Sequence, residues 1–382
     1  MAESRNNPWL DLVRCAAILL VLFRHGERAV TTTSNGGQGF VETLFLNGWV
    51  GVDLFFALSG YLIARHLVGA GIGTGRFALG RYLALRALRI VPAYVAVMAL
   101  IIAGAFPFFE IGREALPMRV AYHLLFLQDY LPSNINVVFW SLGVEEKFYL
   151  LAPLLVAALL RLPMIAKAPL LVACFGLPLI FRSATFQGLD SSIGYTEFFQ
   201  MFRSPFHMTL EGFVVGVAIA MAEHAGLIRP RRGRGLALLS VSASILCVWL
   251  ASHDFMARIG FHDAALQPAL IALLAGAIIL GAVMLAGSPM PLTQPARALS
   301  RLSYSLYLVH LPLIPLAKAL SGTQGAPGFW AIYLAASLAV AVLLHRGVEK
   351  PFLDWKDRLA ARPVTERGHG AAYPVAVGSD RP

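Results

Sequence analysis

The 382-residue sequence is 58% apolar and only 14% charged, with a net charge of +10. Soluble domains carry about 25% charged and about 45–50% apolar residues, so this composition excludes an ordinary soluble enzyme, a disordered chain and a collagen-like fibre. At roughly 20 apolar residues per membrane span, the apolar content suffices for about ten spans.

Apolar runs separated by Gly, Pro and charge mark ten helices, at about 9–28, 44–66, 87–107, 138–160, 168–186, 205–223, 235–253, 264–287, 301–320 and 328–347. The first run, Trp9 to Phe23, contains Arg14 and lacks a small-residue cleavage site, so it reads as a retained helix rather than a signal peptide. The connection 108–137 holds a half-apolar stretch, YHLLFLQDY, expected to lie as a helix at the membrane surface. Residues 353–382 read as a polar, disordered cytoplasmic tail, which leaves 1–352 as the membrane domain. The expected fold is therefore an all-α, polytopic integral membrane bundle. Cys15, Cys174 and Cys247 all lie in apolar runs without CxxC spacing, so neither a disulfide framework nor a zinc or other metal site is expected.

Distribution decides what the positive charge means. With the N-terminus inside, 21 Lys and Arg fall on the cytoplasmic side and only seven on the outer side: Arg24, Arg28, Arg113, Arg119, Arg182, Arg203 and Arg258. Positive loops stay inside, so both termini are expected in the cytoplasm. No basic-aromatic module accompanies the charge, and no nucleic-acid partner is expected.

An ionisable group inside a span costs about 2.5–3.5 kcal/mol and needs a partner or a wet cavity. Arg14 and His25 are eleven residues apart, within about 20° of one helical face and about 16 Å along the axis. They either snorkel and cap at the two interfaces or mark the two ends of a polar path. Asp53 stands in GVDLFFALSGYLIA, where it pairs with an arginine, caps a helix start near Gly51 or serves a site, and Ser59 and Gly60 read as close-packing positions. In FWSLGVEEKFYLLAPLL, Glu145 and Tyr149 share a face, Glu146 points about 100° away toward Lys147 or Arg119, and Trp140 reads as an interfacial anchor. Ser303, Tyr307 and His310 form a polar stripe on one face of another helix. Arg86 and Arg89, one turn apart at a cytoplasmic helix start, are either ordinary inner charge or a phosphate grip.

Together these motifs resemble the membrane-bound acyltransferase family 3, bacterial proteins that modify surface polysaccharides and other exported acceptors. The resemblance runs from Leu10 to about Phe352. It rests on LDLVRCAAILLVLFRH with its Arg-x10-His spacing, GVDLFFALSGYLI, Arg86-x-x-Arg89, WSLGVEEKFYLLAP, SYSLYLVHLP and VEKPF, in that order. Lys147 stands where Gln is usual, and Val309 where an aromatic is common. The resemblance implies an O-acyltransferase with about ten transmembrane helices and no permanently bound cofactor. It uses acyl-coenzyme A, most often acetyl-coenzyme A, as a cytoplasmic co-substrate, and a carbohydrate or glycosylated acceptor. It makes His25 the catalytic histidine and Arg14, Arg86 and Arg89 donor contacts.

Chemistry fits these roles. Two arginines on one face suit the phosphates of coenzyme A, and an imidazole of pKa about 6.5 is available as a neutral base. It either deprotonates an acceptor hydroxyl or carries the acyl group itself. Glu145 or Asp53 is expected to hold its ring, with Glu146, Tyr307 and His310 completing the polar core. The rival expectation is a transporter or flippase whose substrate path the same polar stripes line; no inverted repeat supports it.

Overall fold

The computed structural model describes residues 7–31, 39–74, 77–131, 134–189, 192–253, 259–322 and 325–361. Arg5, Arg76, Arg258 and the tail from Arg362 onward lie outside the described residues. Within them the chain is helical, with one isolated β-bridge, between Ile193 and Ile259. The helices are α1 (Pro8–Val30), α2 (Phe40–Leu46), α3 (Gly51–Gly69), α4 (Leu79–Ile102), α5 (Leu116–Leu124), α6 (Trp140–Arg161), α7 (Met164–Phe186), α8 (Tyr195–Phe198), α9 (Glu211–His224), α10 (Arg232–Ser252), α11 (Gln267–Met284), α12 (Thr293–Val309), α13 (Ile314–Ser321), α14 (Gly325–Leu344) and α15 (Lys350–Ala361).

Each of the ten expected segments corresponds to helix, and the protein is an all-α membrane bundle. By length and composition, six helical stretches among the described residues can cross a bilayer: Gly48–Gly69, Leu79–Ile102, Met164–Phe186, Arg232–Ser252, His262–Met284 and Gly325–Ala361. The remaining four expected spans correspond to α1, α6, α9 and α12. Two are short, 14 residues in α9 and 17 in α12. The other two carry the charges discussed below, and those charges lower their hydropathy.

α3 lies at the centre, packed against α9, α1, α11 and α6, whereas α7 is the least enclosed of the crossing helices. The approach of α3 to α9 depends on glycine. A Cβ on Gly60 would sit 2.2 Å from the Phe213 carbonyl oxygen, and one on Gly216 would sit 2.1 Å from that of Ala57. Small residues let apolar helices pack backbone to backbone where burial of apolar surface gives no drive. Gly60 thus has the packing role expected of it.

Several boundaries differ from expectation. α4 begins at Leu79 rather than 87, so Arg81 and Arg86 join Arg89 inside the helix, where arginine is a good helix former. The expected helix 301–320 breaks at His310, because Pro312 lacks the N–H that would continue the ladder. The tail expected to be disordered from 353 instead continues as α15 to Ala361. A Lys350–Asp354 pair at 2.6 Å supports that helix. Arg81 ties it to α4 by donating to the carbonyls of Leu359 (3.1 Å) and Ala360 (2.6 Å). The expected surface helix at 122–130 falls earlier, as α5.

Candidate active site

Two cavities penetrate the bundle from opposite ends and share two residues, Val52 and Tyr307. The first, of about 130 Å³, lies at the basic end between α1, α3, α4, α6 and α12. Arg14, Arg86, Arg89, Glu145, Tyr149 and Ser303 all line it, so the faces read from helical spacing converge. Arg14 donates to Ser300 Oγ (3.3 Å), whose hydroxyl in turn donates to Asp11 (2.7 Å). The Arg86 guanidinium lies over the rings of Tyr82 (5.6 Å) and Tyr149 (5.8 Å). Among the described residues neither Arg86 nor Arg89 has a carboxylate within 4 Å. Glu145 accepts from Ser59 Oγ at 2.5 Å and is the cavity's one carboxylate among the described residues.

The second cavity, of about 270 Å³, opens at the far end and contains His25 with Arg24, Arg28, Trp49, Trp140, Tyr195, Gln200 and Arg203. A five-residue π-helical turn, Phe199–Arg203, supplies the last two; such wide turns are frequent at functional sites. His25 sits five residues from the end of α1. Its Nδ1 lies 3.0 Å from the Val21 carbonyl oxygen and 3.2 Å from His310 Nε2. His310 is fully buried, and its own Nδ1 is 3.0 Å from the Leu306 carbonyl oxygen.

In the neutral form of each ring these bonds dictate the tautomer. A carbonyl only accepts, so His310 carries its hydrogen on Nδ1 and turns a lone pair on Nε2 toward His25. His25 then carries its hydrogen on Nδ1, shared between Val21 and His310. The nitrogen left with a free lone pair is His25 Nε2. The break in α12 matters here, because it places His310 at a helix end where its ring reaches α1.

Neither carboxylate expected to hold His25 touches it. Glu145 belongs to the basic cavity. Asp53 accepts two bonds from Arg203, at 2.6 and 2.7 Å, and that guanidinium lies over the rings of Trp49 (4.9 Å) and Trp140 (5.3 Å). Either charge alone would be uncompensated in an apolar medium, which makes such a pair costly to break from one side. Trp140 is accordingly buried against Arg203 rather than anchored at an interface. Arg182 is buried against Glu211 in the same manner. Lys147 pairs with Asp129 at 2.6 Å rather than with Glu146. Glu146 has no ion pair among the described residues, and its Oε1 is buried without a hydrogen bond. Arg119, the other partner expected for it, donates to the Gly112 carbonyl.

Tyr307 is the hinge of the arrangement. Its hydroxyl donates to the Val138 carbonyl (2.7 Å) and lies 2.6 Å from Ser141 Oγ, which holds the ring across the junction of the two cavities. Sequence reasoning does not single out Arg203, Ser59, Tyr195 or Trp49 as site residues. Asp53 is the signal that points to Arg203, since a carboxylate in a span requires a cation, and Arg203 is one of only seven basic residues on the expected outer side.

The bundle thus brings a histidine pair on one side of Val52 and Tyr307 and an arginine-lined cavity on the other. The acyltransferase 3 family model, described as an acyltransferase domain, matches residues 7–346, and the chain belongs to that family. It is 28% identical over 374 residues to the peptidoglycan O-acetyltransferase OatA of Listeria monocytogenes, covering 90% of this chain and 55% of the relative. It is 26% identical over 346 residues to the putative membrane-bound transacylase BcsY of Komagataeibacter xylinus, covering 86% and 82%. A third relative, the O-acetyltransferase OatA of Staphylococcus aureus, is 26% identical over 177 residues, covering 42% and 26%. The chain thus spans about half the length of the first of these relatives. No solved structure matches.

Proposed function

We propose that the protein is an O-acyltransferase that moves an acyl group, in the first place acetyl, from cytoplasmic acyl-coenzyme A to a hydroxyl of a cell-surface or exported glycan. The observation that carries this reading is the junction of the two cavities at Val52 and Tyr307, with arginines on one side and the histidine pair on the other. The basic end faces the cytoplasm, both termini with it, by the positive-inside rule, and the membrane is the bacterial inner membrane.

The donor's phosphates are held by Arg86 and Arg89. Its thioester passes Arg14 and reaches the level of Tyr307. The acceptor hydroxyl enters the far cavity and gives its proton to His25 Nε2 as its oxygen attacks the thioester carbonyl. The new C–O bond forms, the C–S bond breaks, and the departing thiolate takes the proton held on His25 Nε2, leaving as coenzyme A and returning the neutral imidazole. The imidazolium formed at His25 is stabilised through its Nδ1–H by the lone pair of His310. In this chain a second imidazole thus takes the place a carboxylate fills in other histidine-based acyl transfers.

Mass spectrometry of surface glycans from cells with and without the protein tests the reading. The expected result is a mass step of one acetyl group that depends on the protein. Uptake of a labelled glycoside into vesicles without acyl donor, and no coenzyme A release with it, points to transport instead. Arg89→Ala is expected to raise the Michaelis constant for acetyl-coenzyme A about tenfold or more while turnover at saturating donor changes little. The reverse pattern, an unchanged constant with lost turnover, rules out the phosphate grip.

A further inference from the structure

The charge balance of the far cavity is one-sided. Arg24, Arg28 and Arg203 line it, and among its described lining residues none is a carboxylate. Arg203 is answered from below by Asp53. Arg24 is buried, donates to the Leu46 carbonyl and lies 4.8 Å from the centre of the Tyr195 ring. Arg28 lies 5.4 Å from the centre of the same ring and, among the described residues, has no carboxylate within 4 Å. Two guanidinium groups therefore share one aromatic platform at the mouth of a half-enclosed space. Their repulsion is strengthened where water is partly excluded, and a bound anion would relieve it. Guanidinium groups match the planar geometry of carboxylates and the oxygens of phosphates.

The remaining walls suit a sugar. Trp49, Trp140, Tyr195 and Phe199 offer flat apolar surfaces for the C–H faces of a pyranose, and Gln200 offers hydrogen bonds to its rim. Arg28 follows His25 by three residues, one helical turn on the same side of α1, a rise of about 4.5 Å. That is the scale of a single sugar ring.

We propose that the acceptor is an anionic saccharide whose carboxylate or phosphate is held by Arg28, on the acylated residue or its neighbour, while the hydroxyl to be acylated meets His25. This rests on the acyl-transfer reading for the role of the bound sugar, but the binding preference is measurable without any transfer.

The test titrates the full chain in lipid nanodiscs by tryptophan fluorescence, since Trp49 and Trp140 line the cavity. The probes are a triuronate oligosaccharide and its carboxyl-reduced neutral form, then glucosamine 6-phosphate and glucosamine. The expected result is about tenfold or tighter binding of an anionic member over its neutral match. Arg28→Gln is expected to abolish that ratio, and Arg28→Lys to keep part of it. The pair that shows the preference identifies the anion as carboxylate or phosphate. Equal binding within both pairs overturns the proposal, as does a preference that survives Arg28→Gln. Coenzyme A release is followed in the same preparations. Its absence alongside an intact anion preference removes the proposed reaction and leaves the anion site standing.

Discussion

His25→Ala is expected to lower acetyl transfer by about 10³-fold, within the range that a positioned acid–base group contributes, while the protein still inserts and binds donor. The second half of this expectation follows from the environment of the ring. His25 lines a cavity rather than packing inside the apolar core, so its removal enlarges an existing space instead of opening a sealed void. The residues of the basic cavity do not touch it, so donor affinity should hold. The comparison is turnover of acetyl-coenzyme A in vesicles of wild type and variant at matched protein content, with donor affinity measured separately. Wild-type turnover in the variant excludes His25 as the base. Loss of donor binding together with turnover indicates collapse of the bundle instead of a chemical role.

The sequence carries the intrahelical part of this site well. The spacings Arg14 to His25, Glu145 to Tyr149 and Ser303 to Tyr307 each lie within one helix, where a period of 3.6 residues dictates the face. All six of these residues line one or other cavity. What spacing cannot convey is which helix faces which. Asp53 and Arg203 are 150 residues apart, and His25 and His310 are 285 apart. The same hydropathy pattern is compatible with several partners for each, so a carboxylate is the natural expectation for the group holding His25. Trp140 departs from expectation for a related reason. It has the composition of an anchor, but the cation that buries it comes from a turn between helices. The start of the tail departs because polar, amphipathic α15 has no apolar run to mark it, and its docking depends on backbone carbonyls accepting from Arg81.

The two cavities also explain why this chain keeps so many charges in a lipid-facing fold. Many are answered locally: Asp53 by Arg203, Glu211 by Arg182, Asp129 by Lys147. Among the described residues, the lining arginines without a carboxylate within 4 Å include Arg86 and Arg89 at one end and Arg28 at the other, and both ends open into cavities. Charges that the fold neutralises are structural support. In the proposed function those left open receive the reactants, the donor at one end and the acceptor at the other.

The histidine pair makes the last expectation specific. In the proposed mechanism His310 is a positioning residue: its ring is held by the Leu306 carbonyl and accepts from His25, so its value lies in the lone pair on Nε2. His310→Phe keeps the bulk and removes the acceptor. His25 is then free to rotate or to change tautomer, and turnover is expected to fall about 100-fold, the scale of a misplaced catalytic group. The Michaelis constant for donor is expected to stay as it was, since the basic cavity is untouched. His310→Gln retains an acceptor oxygen on a chain of similar reach and is expected to recover at least about tenfold of the loss. A purely structural His310 gives a different pattern: Phe, which fills the buried space, is then tolerated better than Gln, which brings an amide donor into a site built for an acceptor. Higher turnover in the His310→Phe variant than in the His310→Gln variant, with both stably inserted, would therefore overturn the relay and leave His25 to act through the Val21 carbonyl alone.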